Sequence, residues 1–223
     1  MELRSNEFKA RAAANLGDAK LQKGLGLIKV KAVVNRASAV AEFGDFETLR
    51  EAGKEIRNRA LADLDLYLER FEREATARGA VVHWAENASE ACRIVVDIAK
   101  QNGVKTVAKS KSMVSEEVGL NDALIEAGIE PIETDLGEYI LQINDAEPPS
   151  HIIAPAIHKT REEVAELFER VHHRPRKTDI AEMTREAREM LRAHSLSAEM
   201  GISGGNFLVA EPGSVALVTN EGN

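Results

Sequence analysis

Four residues with chemistry in them, Lys109-Ser110-Lys111-Ser112, follow a short apolar run from Val104 to Ala108 and directly precede an amphipathic segment. A loop between a strand and a helix leaves backbone N–H groups free, and the following helix favours negative charge at its start. Lys109 and Lys111 add two ammonium charges, and Ser110 and Ser112 add hydroxyl donors. A carboxylate or a phosphate suits that set. The same residues also read as a solvated polar loop in which Ser112 or Ser115 caps the next helix. Both readings stay open.

Carboxylates gather further on, in ETDLGEYILQ, where Glu133, Asp135 and Glu138 follow another apolar run. Neighbouring carboxyl groups do acid–base work when the surroundings push their pKa values apart. Asp135 with Glu138 three residues later also has the spacing of a helix capping box, the preferred role for Asp135. Glu138 stays open. Near the C-terminus, Gly204 and Gly205 permit close backbone approach, Asn206 offers a donor and an acceptor, and Glu211 and Glu221 are candidate nucleophiles or bases. Pro-Gly and Asn-Glu-Gly are equally ordinary turn sequences. His158, beside Lys159, follows an apolar run and is expected at the same mouth as Lys109–Ser112. His172 and His173 are adjacent, so their side chains diverge on a helix, and no two of the six histidines have the i, i+4 spacing of a helical zinc site. No metal site is expected. Cys92 stands alone in an apolar helical pattern and reads as a small core residue.

The elements that must position these groups change character near residue 79. Residues 1–78 read as helical, most clearly Asp45 to Arg78, where Leu49, Ile56, Leu61, Leu64, Leu68 and Phe71 recur at helical spacing before Gly79. Gly24-Leu25-Gly26 lacks the third glycine and the preceding strand of a dinucleotide fingerprint. Beyond it, AVVHWA (80–85) reads as a strand, Ser89 to Gln101 as a helix capped by Asn87 with Glu90, Lys105 to Lys109 as a strand, and Ser115 to Ala127 as a helix. IEPIETD (129–135) and HIIAPA (151–156) read as two more strands. Thr160 with Glu163 opens another helix, residues 172–180 form a basic linker, and a last helix runs from about Ile180 to Met200. Two strands around Glu211-Pro212-Gly213-Ser214 close the chain. Alternating strands and helices predict an α/β fold, a mostly parallel sheet with flanking helices, preceded by an N-terminal helical segment. The expected domains are residues 1–78 and 79–223.

Composition narrows the partners. In 223 residues, apolar types make up 43%, enough for a sizeable core, and the net charge is -8. That balance argues against nucleic acid as a partner. No apolar run is long enough to span a bilayer and the N-terminus lacks a signal-peptide core, so a cytoplasmic location is expected.

Taken together, KSKSMVSEEVGLN, ETDLGEYILQ, PPSHIIAPAIHKTREEV and AEPGSVALVTNEGN closely resemble the LutB type of lactate utilization protein, the iron–sulfur subunit that carries a LUD domain. The resemblance covers nearly the whole chain from about residue 30. It implies the fold of the sugar-phosphate isomerases and CoA-transferases, with Lys109–Ser112 at the phosphate-loop position and Glu211 or Glu221 near the transferase glutamate. It also implies a role with two partner subunits in oxidising L-lactate to pyruvate, as part of an oxidoreductase complex. In full-length members a cysteine-rich region after the LUD domain holds 4Fe-4S clusters. A single cysteine leaves none of those cofactors to this chain, which is expected to be truncated within the LUD domain. Its direct role would be to bind a small anion or to dock partner subunits. A stand-alone isomerase or acyl/CoA-transferase-like enzyme, using one of the glutamates with the lysine loop, is the alternative. An uncovered strand edge in residues 201–223 is expected to drive self-association.

Overall fold

A computed structural model describes residues 5–151 and 154–218, and these divide into two compact units. Among the described residues, one, the sheet unit, holds 83–151, 154–206 and 217–218; the other, the helical unit, holds 5–82 and 207–216.

The sheet unit is built around three parallel strands, β1 (Thr106–Lys109), β2 (Glu130–Glu133) and β3 (Met200–Ile202), in the order β2-β1-β3. Register sets Lys109 directly beside Glu133 on β2 and beside Ile202 on β3. Helix α5 (Ala88–Gln101) precedes β1, α6 (Met113–Glu117) and α7 (Leu120–Glu126) join β1 to β2, and α8 (Leu136–Gln142), α9 (Arg161–His172) and α10 (Ile180–Ser197) join β2 to β3. Each face of the sheet has its own core. Cys92 and Ala99 from α5 and Leu120 and Leu124 from α7 close over Val107, while Tyr139, Phe168, Met183, Ala187 and Leu191 from α8, α9 and α10 close over Ile132. Burying apolar side chains on both faces is what a parallel sheet requires. The α/β class expected from the sequence is therefore the one observed.

Local chemistry starts the helices where it should. Asn87 accepts from the Glu90 amide at 3.0 Å, while the Glu90 carboxylate reaches back to the Glu86 amide instead of completing the box at Asn87. Thr160 and Glu163 form a complete capping box. Asp135 accepts from the amides of Gly137 and Glu138 and opens α8, the capping role preferred for it. Cys92 is buried, its thiol donates to the Val118 carbonyl, and burial pushes its pKa up.

Several expected elements differ. Residues 80–85 join no strand, with Val81 and Trp84 exposed; β-branched composition gives a strand only where another strand offers its edge. The helix expected over 115–127 is two helices, because Gly119 takes φ +74° and breaks it. Residues 152 and 153 lie outside the described residues, and the rest of the expected strand at 151–156 is bend and turn. The last helix stops at Ser197, and Met200–Ile202 becomes β3, a strand too short to show in the sequence pattern.

The helical unit contains α1 (Phe8–Gly17), α2 (Ala19–Phe43), α3 (Phe46–Ala62) and α4 (Leu64–Ala77), with a hairpin of β4 (Phe207–Val209) and β5 (Ser214–Ala216). The long helical stretch from Asp45 is interrupted at Asp63, which leaves α-helical geometry. Gly24 and Gly26 lie inside α2, not in a phosphate-binding turn. The hairpin turns as expected at Glu211–Ser214. Gly213 has φ +60°, and a Cβ there would stand 2.3 Å from the Ala75 amide nitrogen on α4, so only glycine fits.

Candidate functional site

At the carboxyl ends of β1 and β2, five ionisable side chains converge. Lys109 is fully buried and its Nζ lies 2.8 Å from Glu133 Oε1, its register partner on β2. It also donates to Ser115 Oγ at 3.3 Å. Two residues on, Lys111 donates to Glu138 Oε1 at 2.8 Å, from a side chain only 4% exposed. Glu116, on α6, completes the group. Strand alternation explains the depth of the lysine, since Val107 and Lys109 point inward while Thr106 and Ala108 are only half-buried. Ser112 caps α6 through the Ser115 amide, and Ser115 Oγ donates to the Ser112 carbonyl.

Asn121 Nδ2 donates to Glu133 Oε1 at 2.7 Å, and the Glu133 amide donates to Gln142. Even so, Glu133 Oε2, Glu116 Oε1 and Asn121 Oδ1 are buried with no hydrogen-bond partner among the described residues. All three are acceptors, so the cluster is short of donors. Burial and the nearby Glu138 charge push the Glu116 pKa up; Lys111 and Lys109 pull it down, but the net displacement is upward. Burial works against the Lys111 charge, yet the hydrogen bond and charge of Glu138, with the charges of Glu116 and Asp135, outweigh it and raise its pKa. Two ammonium groups therefore face three carboxyl groups, and the surroundings of Glu116 shift it toward its protonated form.

This geometry sits inside a recognised segment. The LUD domain profile matches residues 68–223. The chain belongs to the LUD domain family. It is 42% identical over all 223 residues to proteins named lactate utilization protein B from Bacillus thuringiensis (strain Al Hakam), Bacillus cereus (strain AH187) and Bacillus anthracis (strain CDC 684 / NRRL 3495). The chain spans about half the length, 47%, of these relatives. No solved structure matches it.

Within this LUD domain the other residues singled out by sequence fall in different places. Ser110 donates its hydroxyl to Ser203 Oγ at 2.9 Å, and its amide to the Ile202 carbonyl, which ties the lysine loop to the end of β3. His158 bonds Ser150 and Glu147 rather than the Lys109–Ser112 segment. Asn206 accepts from the Val218 amide at 2.7 Å. Glu211 belongs to the helical unit, where its exposed carboxylate lies 3.7 Å from Arg70 on α4. Glu221 lies outside the described residues. A 4Fe-4S cluster needs about four thiolates. The one cysteine, buried against Val118, does not fit such a group. No set of three or more metal-ligating His, Cys, Asp or Glu side chains occurs among the described residues. No described helix is long and apolar enough to cross a membrane.

Two groupings escaped sequence reading. Glu116 looked like an ordinary acid in SMVSEE, and only the fold brings it within reach of the charges of Lys111 and Lys109. The second is a buried relay on the opposite face of the sheet. Tyr139 Oη lies 2.9 Å from His172 Nε2, His172 Nδ1 lies 2.8 Å from Glu186 Oε1, and Lys177 reaches Glu186 Oε2 at 2.7 Å.

Proposed function

We propose that this chain is the LUD-domain part of a lactate utilization protein, acting with other subunits of an L-lactate-oxidising complex. We place its contribution at the lysine–glutamate cluster. The names of its relatives support the setting, and the convergence of Lys111, Glu138 and Glu116 at the strand ends supports the place. Ligands of open α/β sheets sit beyond those ends. Oxidising a 2-hydroxy acid to a 2-oxo acid removes the hydroxyl proton, and removes the hydrogen on the same carbon with two electrons, which the other subunits of the complex would have to accept; a carboxyl group with a raised pKa is suited to take the proton. Lys111 is the group to receive the substrate carboxylate. Its charge is already balanced by Glu138, so an incoming carboxylate brings one negative charge too many. Binding must then be accompanied by uptake of a proton within the cluster.

L-Lactate or pyruvate should therefore bind more tightly as pH falls, and calorimetry in buffers of different ionisation enthalpy should detect about one proton taken up. At a hundred times its dissociation constant, the acid should stabilise the fold by about 2.7 kcal/mol. Lys111→Gln should abolish that stabilisation. Neither acid stabilising the wild-type chain at tens of millimolar would end this reading.

The β4–β5 hairpin supports self-association. Phe207, Leu208 and Val215 are exposed, and both strands have an outer edge unpaired among the described residues. A second copy pairing there should raise the scattering mass across a concentration series, and Val215→Lys should lower it. A constant monomer mass would remove the proposal.

A further inference from the structure

We infer that the sheet unit carries a second ligand site, separate from the lysine–glutamate cluster, which takes a phosphate ester with a small apolar body on Arg188 and Arg192. The two arginines lie one helical turn apart on α10 and line a cleft of about 430 Å³ between that helix and the segment that leaves β2. Leu136, Ala187 and Leu191 supply its apolar wall, and Ser195 a hydroxyl. The volume is within the range of small-molecule sites.

Among the described residues, nothing neutralises these two arginines. Neither has a hydrogen-bond or ion-pair partner among the described residues. Four residues before Arg188 along α10 stands Thr184, and four after Arg192 stands Leu196. The nearby acids are committed elsewhere: Glu189 to Arg174 at 2.7 Å, and Glu186 to Lys177 and His172. Like charges at i, i+4 repel on a helix surface, so a bound anion relieves a repulsion that the fold leaves in place. Guanidinium groups bind the oxygens of phosphate in pairs. A phosphate dianion balances both charges, whereas a monocarboxylate balances one. Leu136 and Leu191 fix the remaining requirement, an apolar group carried next to the phosphate.

The cleft is coupled in position to the cluster. Thr134 lines it and donates from its hydroxyl, at 3.0 Å, and from its amide, at 2.9 Å, to the carbonyl of Lys109.

Calorimetric titration of the chain with phenyl phosphate and with benzoate, which share an apolar ring and differ in the oxyanion, tests it. Phenyl phosphate should bind saturably and at least tenfold more tightly than benzoate. Arg188→Ala with Arg192→Ala should weaken it at least tenfold while leaving circular dichroism and melting unchanged, because both side chains are exposed. Arg188→Lys with Arg192→Lys should retain part of the affinity. Equal affinity in wild type and the alanine double variant, or no saturable binding at all, overturns the site. Benzoate binding as tightly as phenyl phosphate overturns the phosphate assignment. Loss of binding in Lys111→Gln with retention in the arginine variant would place the anion in the cluster and overturn the cleft.

Discussion

Lys109→Met should lower the stability of the sheet unit by about 3–5 kcal/mol, the usual cost of removing one partner from a buried ion pair. Methionine nearly matches the lysine stem in volume, so the loss is electrostatic rather than a cavity. It leaves the Glu133 carboxylate buried, with one oxygen already unpartnered and only Asn121 donating to the other. Side-chain exposures of 1% and 5% for the pair exclude rescue by water without local opening. Glu133→Gln together with Lys109→Met should recover most of the loss, because two neutral groups carry far less desolvation cost. Urea unfolding of the four proteins of this cycle gives the coupling directly. A Lys109→Met loss under 1 kcal/mol would show that the pair is solvated and that the cluster is not a low-dielectric site. The same reasoning makes Lys109 a poor target for probing ligand binding, since its variants lose the fold before they report on the site. Lys111 is the better probe: its partner Glu138 is nearer the surface, with 11% of its side chain exposed.

Much of this cluster was half visible in the sequence. The lysines and glutamates stood out by type, and β1, β2, α5, α9 and the Asp135 cap lie close to where periodicity and capping patterns set them. What the pattern could not supply was register. That Lys109 meets Glu133, and not some other acid, depends on β1 and β2 being neighbours with that alignment. A loop of charges read as open to an anion is, in the fold, closed on its own carboxylates. The same limit explains the strand expected at 80–85, which has strand composition but no partner edge, and the unexpected β3, which has only three residues but a waiting edge on β1. The arginines of α10 were invisible for a different reason. Sequence shows charges on a helix, but not which of them lack a neighbour.

His172→Ala should cost the sheet unit about 3 kcal/mol and reshape its acid unfolding. The imidazole is fully buried, bridges Tyr139 to Glu186, and has its ring 4.6 Å from that of Phe168. Nδ1 is hydrogen-bonded to Glu186 and Nε2 to the tyrosine hydroxyl, so both ring nitrogens are satisfied. Alanine removes the ring from the core and strands two polar groups, and the desolvation of those groups adds to the lost packing. Burial alone would raise the Glu186 pKa, but hydrogen bonds from Lys177 and His172, with their charges, outweigh it and hold the pKa below its ordinary value of 4.5. A carboxyl group with a depressed folded pKa contributes stability in full above 4.5, and loses it as pH falls through the folded value. The wild-type chain should accordingly lose stability progressively below about pH 4.5. In Glu186→Gln the slope of stability against pH in that acid window should be smaller. In His172→Ala it should be intermediate, since Lys177 still holds the carboxylate. Urea midpoints measured from pH 7 to pH 3 for the three proteins decide the matter. Identical acid slopes in wild type and Glu186→Gln would mean that other carboxylates drive the acid transition and that this relay contributes packing only.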